Sequence, residues 1–299
     1  MSAVIDLAQA TRDNAGPKMG RLAELIRHGI AVPSGFVVPP TGYEGNRDGI
    51  AESLAAEIAA AYTRLCGGVD QPTVVRSSAV DEDGAKASFA GVYDSFLGVR
   101  GADQVIAAVA ACWSGLNSDR AVAYRERLGA VHPNPSMAVG VMLMVPARCS
   151  GVAFTVDPVT GREDRLVIEA SWGFGEPVVQ GVVTPDRIEV SDEGRVLRYE
   201  TGDKKIALVY SEDRRMRHVE LPAERARAAA LTTEEALTLA AQVRAVADLA
   251  GQPVDCEWVL DQAGRVWVVQ WRPVTALPAN DAPLWDPAEY AARYAFRSA

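Results

Sequence analysis

The stretch from Val254 to Trp271 constrains the fold of this chain more than any other. Two apolar, β-branched runs, 254–260 and 266–271, flank Asp261-Gln-Ala-Gly264, which is the composition of a β-hairpin. Successive side chains of a strand point to opposite faces. Asp255, Glu257 and Val259 therefore share one face, Gln270 and Arg272 share a face on the partner strand, and Glu257 stands opposite Gln270. Immediately upstream, Thr232 to Ala250 reads as a helix with a capping box formed by Thr232 and Glu235 and a stop at Gly251 and Pro253. The oxygens and guanidinium on the hairpin admit two readings. One is a magnesium–phosphate site, because magnesium favours hard oxygen ligands and shares them with substrate phosphates. The other is a cross-strand salt bridge from Glu257 to Arg272 that stabilises the sheet. The strands alone do not choose between them.

The rest of the chain falls into a helix-rich half and a strand-rich half. Asn14 to His28 reads as a helix with Leu22, Leu25 and Ile26 on its apolar face, opened by Pro17 and stopped by Gly29. Helices are also expected at about Ile50 to Leu65, Ala102 to Leu116 and Asn117 to Leu128, and a strand from Thr73 to Arg76. From Met137 the pattern turns to strands, at Ala138 to Val145, Gly151 to Val156, Arg165 to Ala170 and Arg187 to Val190. The expected division is a first lobe at 1–136, a β-rich second lobe at 137–274 and a tail at 275–299. Thr201 to Leu221 is a charged connection with no pattern that assigns it.

With 299 residues, 48% of them hydrophobic, the chain is long enough for one large domain or two lobes with their own cores. A net charge of −9 disfavours a general nucleic-acid or anionic-lipid partner while leaving room for a local basic cleft. Four scattered cysteines indicate neither a zinc site nor a disulfide framework, and a reducing compartment fits them. Without a basic-then-apolar leader or an apolar run of membrane-spanning length, the expectation is a cytoplasmic protein with no membrane partner.

Three features suit phosphate chemistry. Lys18 sits at a helix N-terminus, where free amides and the positive dipole end add to its charge. Arg76 ends an apolar strand before Ser77 and Ser78, which places it at a cleft edge. The small-residue segment Ala87-Ser-Phe-Ala-Gly91, including Ser88 and Gly91, would let backbone amides approach an anion and a loop close over it, although by itself such a run is only a turn. The acids at Asp81, Glu82 and Asp83 would repel a triphosphate and read as a solvated loop.

Several segments, in order along the chain, are similar to one family. They are Gly16 to Val38, Val75 to Val99, Cys112 to Arg125, Ser150 to Gly161, Glu169 to Glu176, and Asp255-Cys-Glu-Trp-Val-Leu260 with Val269-Gln-Trp-Arg-Pro-Val274. Together they resemble the AMP/ATP-binding domain of pyruvate phosphate dikinase, phosphoenolpyruvate synthase and rifampin phosphotransferase. The resemblance implies an α/β (α+β) ATP-grasp module of two lobes, with a mixed, largely antiparallel sheet in the second. It implies ATP and magnesium as cofactors. Lys18, Arg76, Arg120 and Arg272 would lie on the phosphates, with Lys18, Arg76 and Arg120 catalytic. Ser88 and Gly91 would close over them, Leu143 and Val145 would flank the adenine at a hinge, and Glu257 with Gln270 would ligate the metal. Two positions depart from the family pattern: Pro17 stands where glycine is usual and Met142 where glutamine is common.

Full-length members pass the β-phosphate of ATP to a histidine on a separate swivelling domain, releasing AMP and phosphate. His28, His132 and His218 stand in no such sequence context; His28 ends a helix and the others fall in polar loops. The resemblance therefore implies a phosphotransferase module that needs a histidine carrier protein or a small-molecule acceptor. The rival readings are a stand-alone ATP-grasp kinase or ligase that forms ADP, and a non-catalytic nucleotide-binding protein.

Overall fold

The computed structural model describes residues 4–44, 49–79, 95–119, 121–123, 136–179 and 181–274, with the side chains of 43 and 44 excluded. Ser88, Gly91, Arg120, His132, the 81–83 acids and the tail 275–299 lie outside the described residues.

Two antiparallel sheets form the framework. The first has the order β1 (Ile5–Asp6), β2 (Gly35–Val38), β5 (Met137–Leu143), β3 (Thr73–Ala79), β4 (Ser95–Val99). The second runs β13 (Val266–Pro273), β12 (Val254–Asp261), β6 (Ala147–Phe154), β7 (Arg165–Trp172), β8 (Asp186–Ser191), β9 (Val196–Glu200). Every pairing between strands of the second sheet is antiparallel, so the sheet expected to be largely antiparallel is wholly so among the described residues. Met137–Leu143, expected to open the second lobe, is instead the middle strand of the first sheet, paired with β2 and β3. The change of sheet falls in the short link after Leu143.

Helices α1 (Arg12–Arg27), α2 (Pro40–Glu44), α3 (Glu52–Leu65) and α4 (Ala102–Gly115) accompany the first sheet. The side chains of α3 and α4 meet alternate residues of β3 and β5, among them Val75, Val139 and Val141, in one apolar core. Short helices α5 (Glu176–Val179) and α6 (Ala223–Arg227) precede α7 (Thr233–Ala250), which has the expected capping box and a left-handed Gly251 at its end. Its apolar stripe, Ala236, Leu239, Ala240, Val243 and Val246, packs on one face of the second sheet against Cys256, Trp258 and Ile168. Alternation leaves the opposite face to Asp255, Glu257, Glu169 and Arg187, so one sheet carries a core face and a polar face.

The connection left unassigned at 201–221 contains a hairpin of β10 (Ile206–Tyr210) and β11 (Met216–Glu220). His218, expected in a loop, is exposed on β11. Leu208 joins a small apolar cluster with Met144 and Phe174, packed by Val74, Leu97, Tyr210 and Met216. This cluster ties the hairpin to both sheets beside the Leu143–Val145 link.

Cys66, Cys112, Cys149 and Cys256 are all buried and none is in a disulfide, and burial pushes the Cys149 thiol up to about 12. A thiolate is the reactive species. Native protein is therefore expected to react with Ellman's reagent only slowly, releasing four equivalents once unfolded; a fast native equivalent would contradict the packing.

Candidate functional site

Helix α1 is broken where the phosphate-binding reading needs a helix start. Gly16 has φ 69° and ψ 172°, so the regular turn begins at Pro17, where a missing N–H costs no helical hydrogen bond. A Cβ on Gly16 would lie 2.4 Å from the Ser78 carbonyl oxygen, so both backbone conformation and close approach demand glycine. Ser78 Oγ accepts from the Met19 amide at 3.4 Å. The end of β3 thus caps the helix that carries Lys18, which is half-buried.

Arg76 projects from β3 on the Ser78 side and crosses to the second sheet. Its residue is 9% exposed, and its Nη1 donates to the Val269 carbonyl at 3.1 Å. That carbonyl is offered by a β-bulge: Glu257 pairs with Gln270 but Trp258 pairs with Val268, leaving Val269 without an opposite residue. Arg76 Nη2 donates to Gln270 Oε1 and lies 3.8 Å from Glu257 Oε2. Gln270 Nε2 in turn donates to Glu257 Oε1 at 2.8 Å. Three of the expected site residues therefore form one contiguous group, although Arg76 and Gln270 stand 194 positions apart in sequence.

Arg272 lies next along the same face. It pairs with Asp255, not with Glu257 as the salt-bridge reading expected: Nε donates to Asp255 Oδ2 at 2.8 Å, and Nη2 makes an ion pair with the same oxygen at 2.7 Å. Asp255 is buried, and burial, reinforced by the Glu257 charge and opposed by Arg272, raises its pKa. Glu169 occupies the same row as Glu257, two strands away with Val152 between them. Burial again raises its pKa, with Arg187 opposing and Asp255 adding. In the sequence, Asp255 stands out only as a face marker and Glu169 only as the start of a motif. Alternation along 165–170 could have brought out Glu169, whereas nothing local points to the bulge at Val269.

Glu257 and Gln270 suit magnesium. Both offer hard oxygens, and an amide oxygen with two lone pairs can accept from Arg76 and still bind a cation. Among the described residues no group of three or more acidic, His or Cys side chains could hold a metal. An ion here would take two protein oxygens and complete its shell from phosphates and water, as magnesium commonly does. At the expected hinge, the Leu143 amide donates to Ser34 O and the Met144 amide to Pro72 O, each at 2.9 Å. Met142, the position that departs from the family pattern, is 2% exposed and fills the core.

A family model described as pyruvate phosphate dikinase, AMP/ATP-binding domain, matches residues 46–286. The chain belongs to that family. A probable phosphoenolpyruvate synthase of Methanothermobacter thermautotrophicus is 37% identical, over 88% of this chain and 44% of its own length. A rifampicin phosphotransferase of a Streptomyces species is 36% identical, over 91% of this chain and 35% of its own length. The dikinase-family chain thus spans less than half the length of these relatives. Among solved structures it is similar to PH1788 from Pyrococcus horikoshii, with a TM-score of 0.42, 12% identity and coverage of 87% and 92% of the two chains. No helix among the described residues of the dikinase-family domain is long and apolar enough to cross a membrane.

Proposed function

We propose that this chain binds magnesium–ATP between its two sheets and serves as the nucleotide-cleaving module of a dikinase-like phosphotransferase. The observation that carries the reading is the Arg76–Gln270–Glu257 group, in which a buried guanidinium from one sheet meets two metal-suited oxygens from the other. Phosphoryl transfer asks a protein mainly for positioning and for cations on the phosphate oxygens. Lys18, Arg76, Arg120 and Arg272 would supply the cations, Glu257 and Gln270 would hold magnesium, and Ser88 to Gly91 would cover the phosphates. Leu143 and Val145 would flank the adenine. The lobe division expected at 136/137 is better drawn at the link after Leu143, which joins the two sheets. The acceptor would attack the β-phosphorus, AMP would leave, and the terminal phosphate would be lost to water. The acceptor is a histidine of a carrier protein or a small molecule, and the working compartment is the cytoplasm.

Chromatography of the nucleotides over a full time course tests this. Slow ATP turnover giving AMP and phosphate is expected, with Glu257→Ala or Gln270→Ala abolishing the magnesium-dependent part of ATP binding. Stoichiometric ADP without AMP, in preparations free of adenylate kinase, would favour an ADP-forming kinase or ligase. Binding that is intact yet never followed by turnover with any acceptor would make the chain a non-catalytic nucleotide-binding protein. Equal ATP affinity with magnesium and with chelator would remove the metal assignment.

A further inference from the structure

Asp255 is 7% exposed, and its two carboxylate oxygens are used unequally. Oδ2 takes both Nε and Nη2 of Arg272, while Oδ1 is buried without a hydrogen-bond partner among the described residues. A buried carboxylate kept only for stability normally satisfies both oxygens, since each unpaired buried acceptor is costly. The Arg272 side chain, by contrast, is 39% exposed. An exposed arginine ordinarily samples many rotamers. One held along its Nε–Nη2 edge by a dry carboxylate keeps the plane of its guanidinium fixed.

We propose that Asp255 is a positioning residue that fixes the Arg272 guanidinium for contact with the phosphates of the bound nucleotide. The inference rests on the phosphate-site reading of Arg272. Strand geometry supplies the clamp: Asp255 and Arg272 are directly paired across β12 and β13, on the same face as the paired Glu257 and Gln270. Paired side chains on one face of an antiparallel ladder stand about 5 Å apart at Cβ, close enough for a short acid to reach the Nε edge of an arginine. The guanidinium plane is thereby aligned with the face that carries Glu257 and Gln270.

A double-mutant cycle read by calorimetric titration with magnesium–ATP decides the matter, with unfolding midpoints measured for each variant. Asp255→Asn is expected to weaken binding about tenfold to a hundredfold while Arg272 is present, the range typical for removal of an orienting partner. In the Arg272→Ala background the same change is expected to add less than about twofold, because its effect passes through the arginine. An undiminished loss in that background overturns the proposal. Arg272→Ala with unchanged nucleotide binding overturns the phosphate-site reading and this inference with it. Should Asp255→Asn fail to fold, Arg272→Lys serves instead. Lysine can pair with Asp255 but has no edge to clamp, so an affinity loss of about tenfold is expected, and wild-type affinity would rule the positioning role out.

Discussion

Asp186→Ala is expected to destabilise the protein by about 3–5 kcal/mol, because it leaves the ammonium of Lys204 buried without its counter-charge. Both side chains are completely buried and paired with each other. Asp186 also accepts from the Gly202 amide at 2.8 Å, the Ala230 amide at 2.7 Å and Tyr199 OH at 3.3 Å. One carboxylate at the start of β8 therefore organises the chain where it leaves β9 and again where it approaches α7. A loss of this size is a large fraction of the roughly 5–15 kcal/mol that holds a typical domain together. Urea unfolding of the variant should show a much lower midpoint with an unchanged slope. Adding Lys204→Met should recover part of the loss, since an apolar side chain of similar length leaves no buried charge. A change under about 1 kcal/mol would mean that water reaches Lys204 after all.

Arg76→Ala should lower ATP turnover by about a hundredfold to a thousandfold, the usual consequence of removing one preorganised donor from a site where charge develops. The effect has two sources. The guanidinium touches both members of the Glu257–Gln270 pair, and its contacts to Val269 O and Gln270 Oε1 join the first sheet to the second. Removing it takes away a charge and also leaves the bulge carbonyl without this donor. Arg76→Lys should recover little, because an ammonium cannot reach the carbonyl and the amide together as a planar fork does. Turnover measured beside the unfolding midpoint separates the two sources. A fall in stability alone, with turnover per folded molecule unchanged, would make Arg76 a strap between the sheets and no part of the chemistry.

Much of the candidate site is legible in the amino-acid order. Alternation along 254–260 and 266–271 puts Asp255 and Glu257 on one face and Gln270 and Arg272 on one face, whereas the expected pairing of Glu257 with Gln270 arises only through the bulge, since the regular register of Trp258 with Val268 would have set Val269 opposite Glu257. The capping box at Thr232 and the stop at Gly251 bound α7 as expected. Pro17 marks the start of the regular helix that carries Lys18, although the kink at Gly16 that frees this start depends on Ser78, far along the chain. The hairpin at 206–220 is not legible. Its first strand is a short apolar run and its second mixes exposed charges with half-buried Met216 and Val219, so neither shows a clean period.

What the sequence alone determined are the local periodicities and stops, which follow from the fixed geometry of helix and strand and decide which side chains share a face. Sheet membership of Met137–Leu143, the burial of Lys204, the choice of Asp255 over Glu257 as partner of Arg272, and the bulge that presents Val269 O to Arg76 were decided only by the tertiary structure. Each depends on which distant strand lies alongside and on how the charges there are desolvated. Neither property is encoded in the few residues around any one of them, because the free energy of a pairing or of a buried charge belongs to both partners at once.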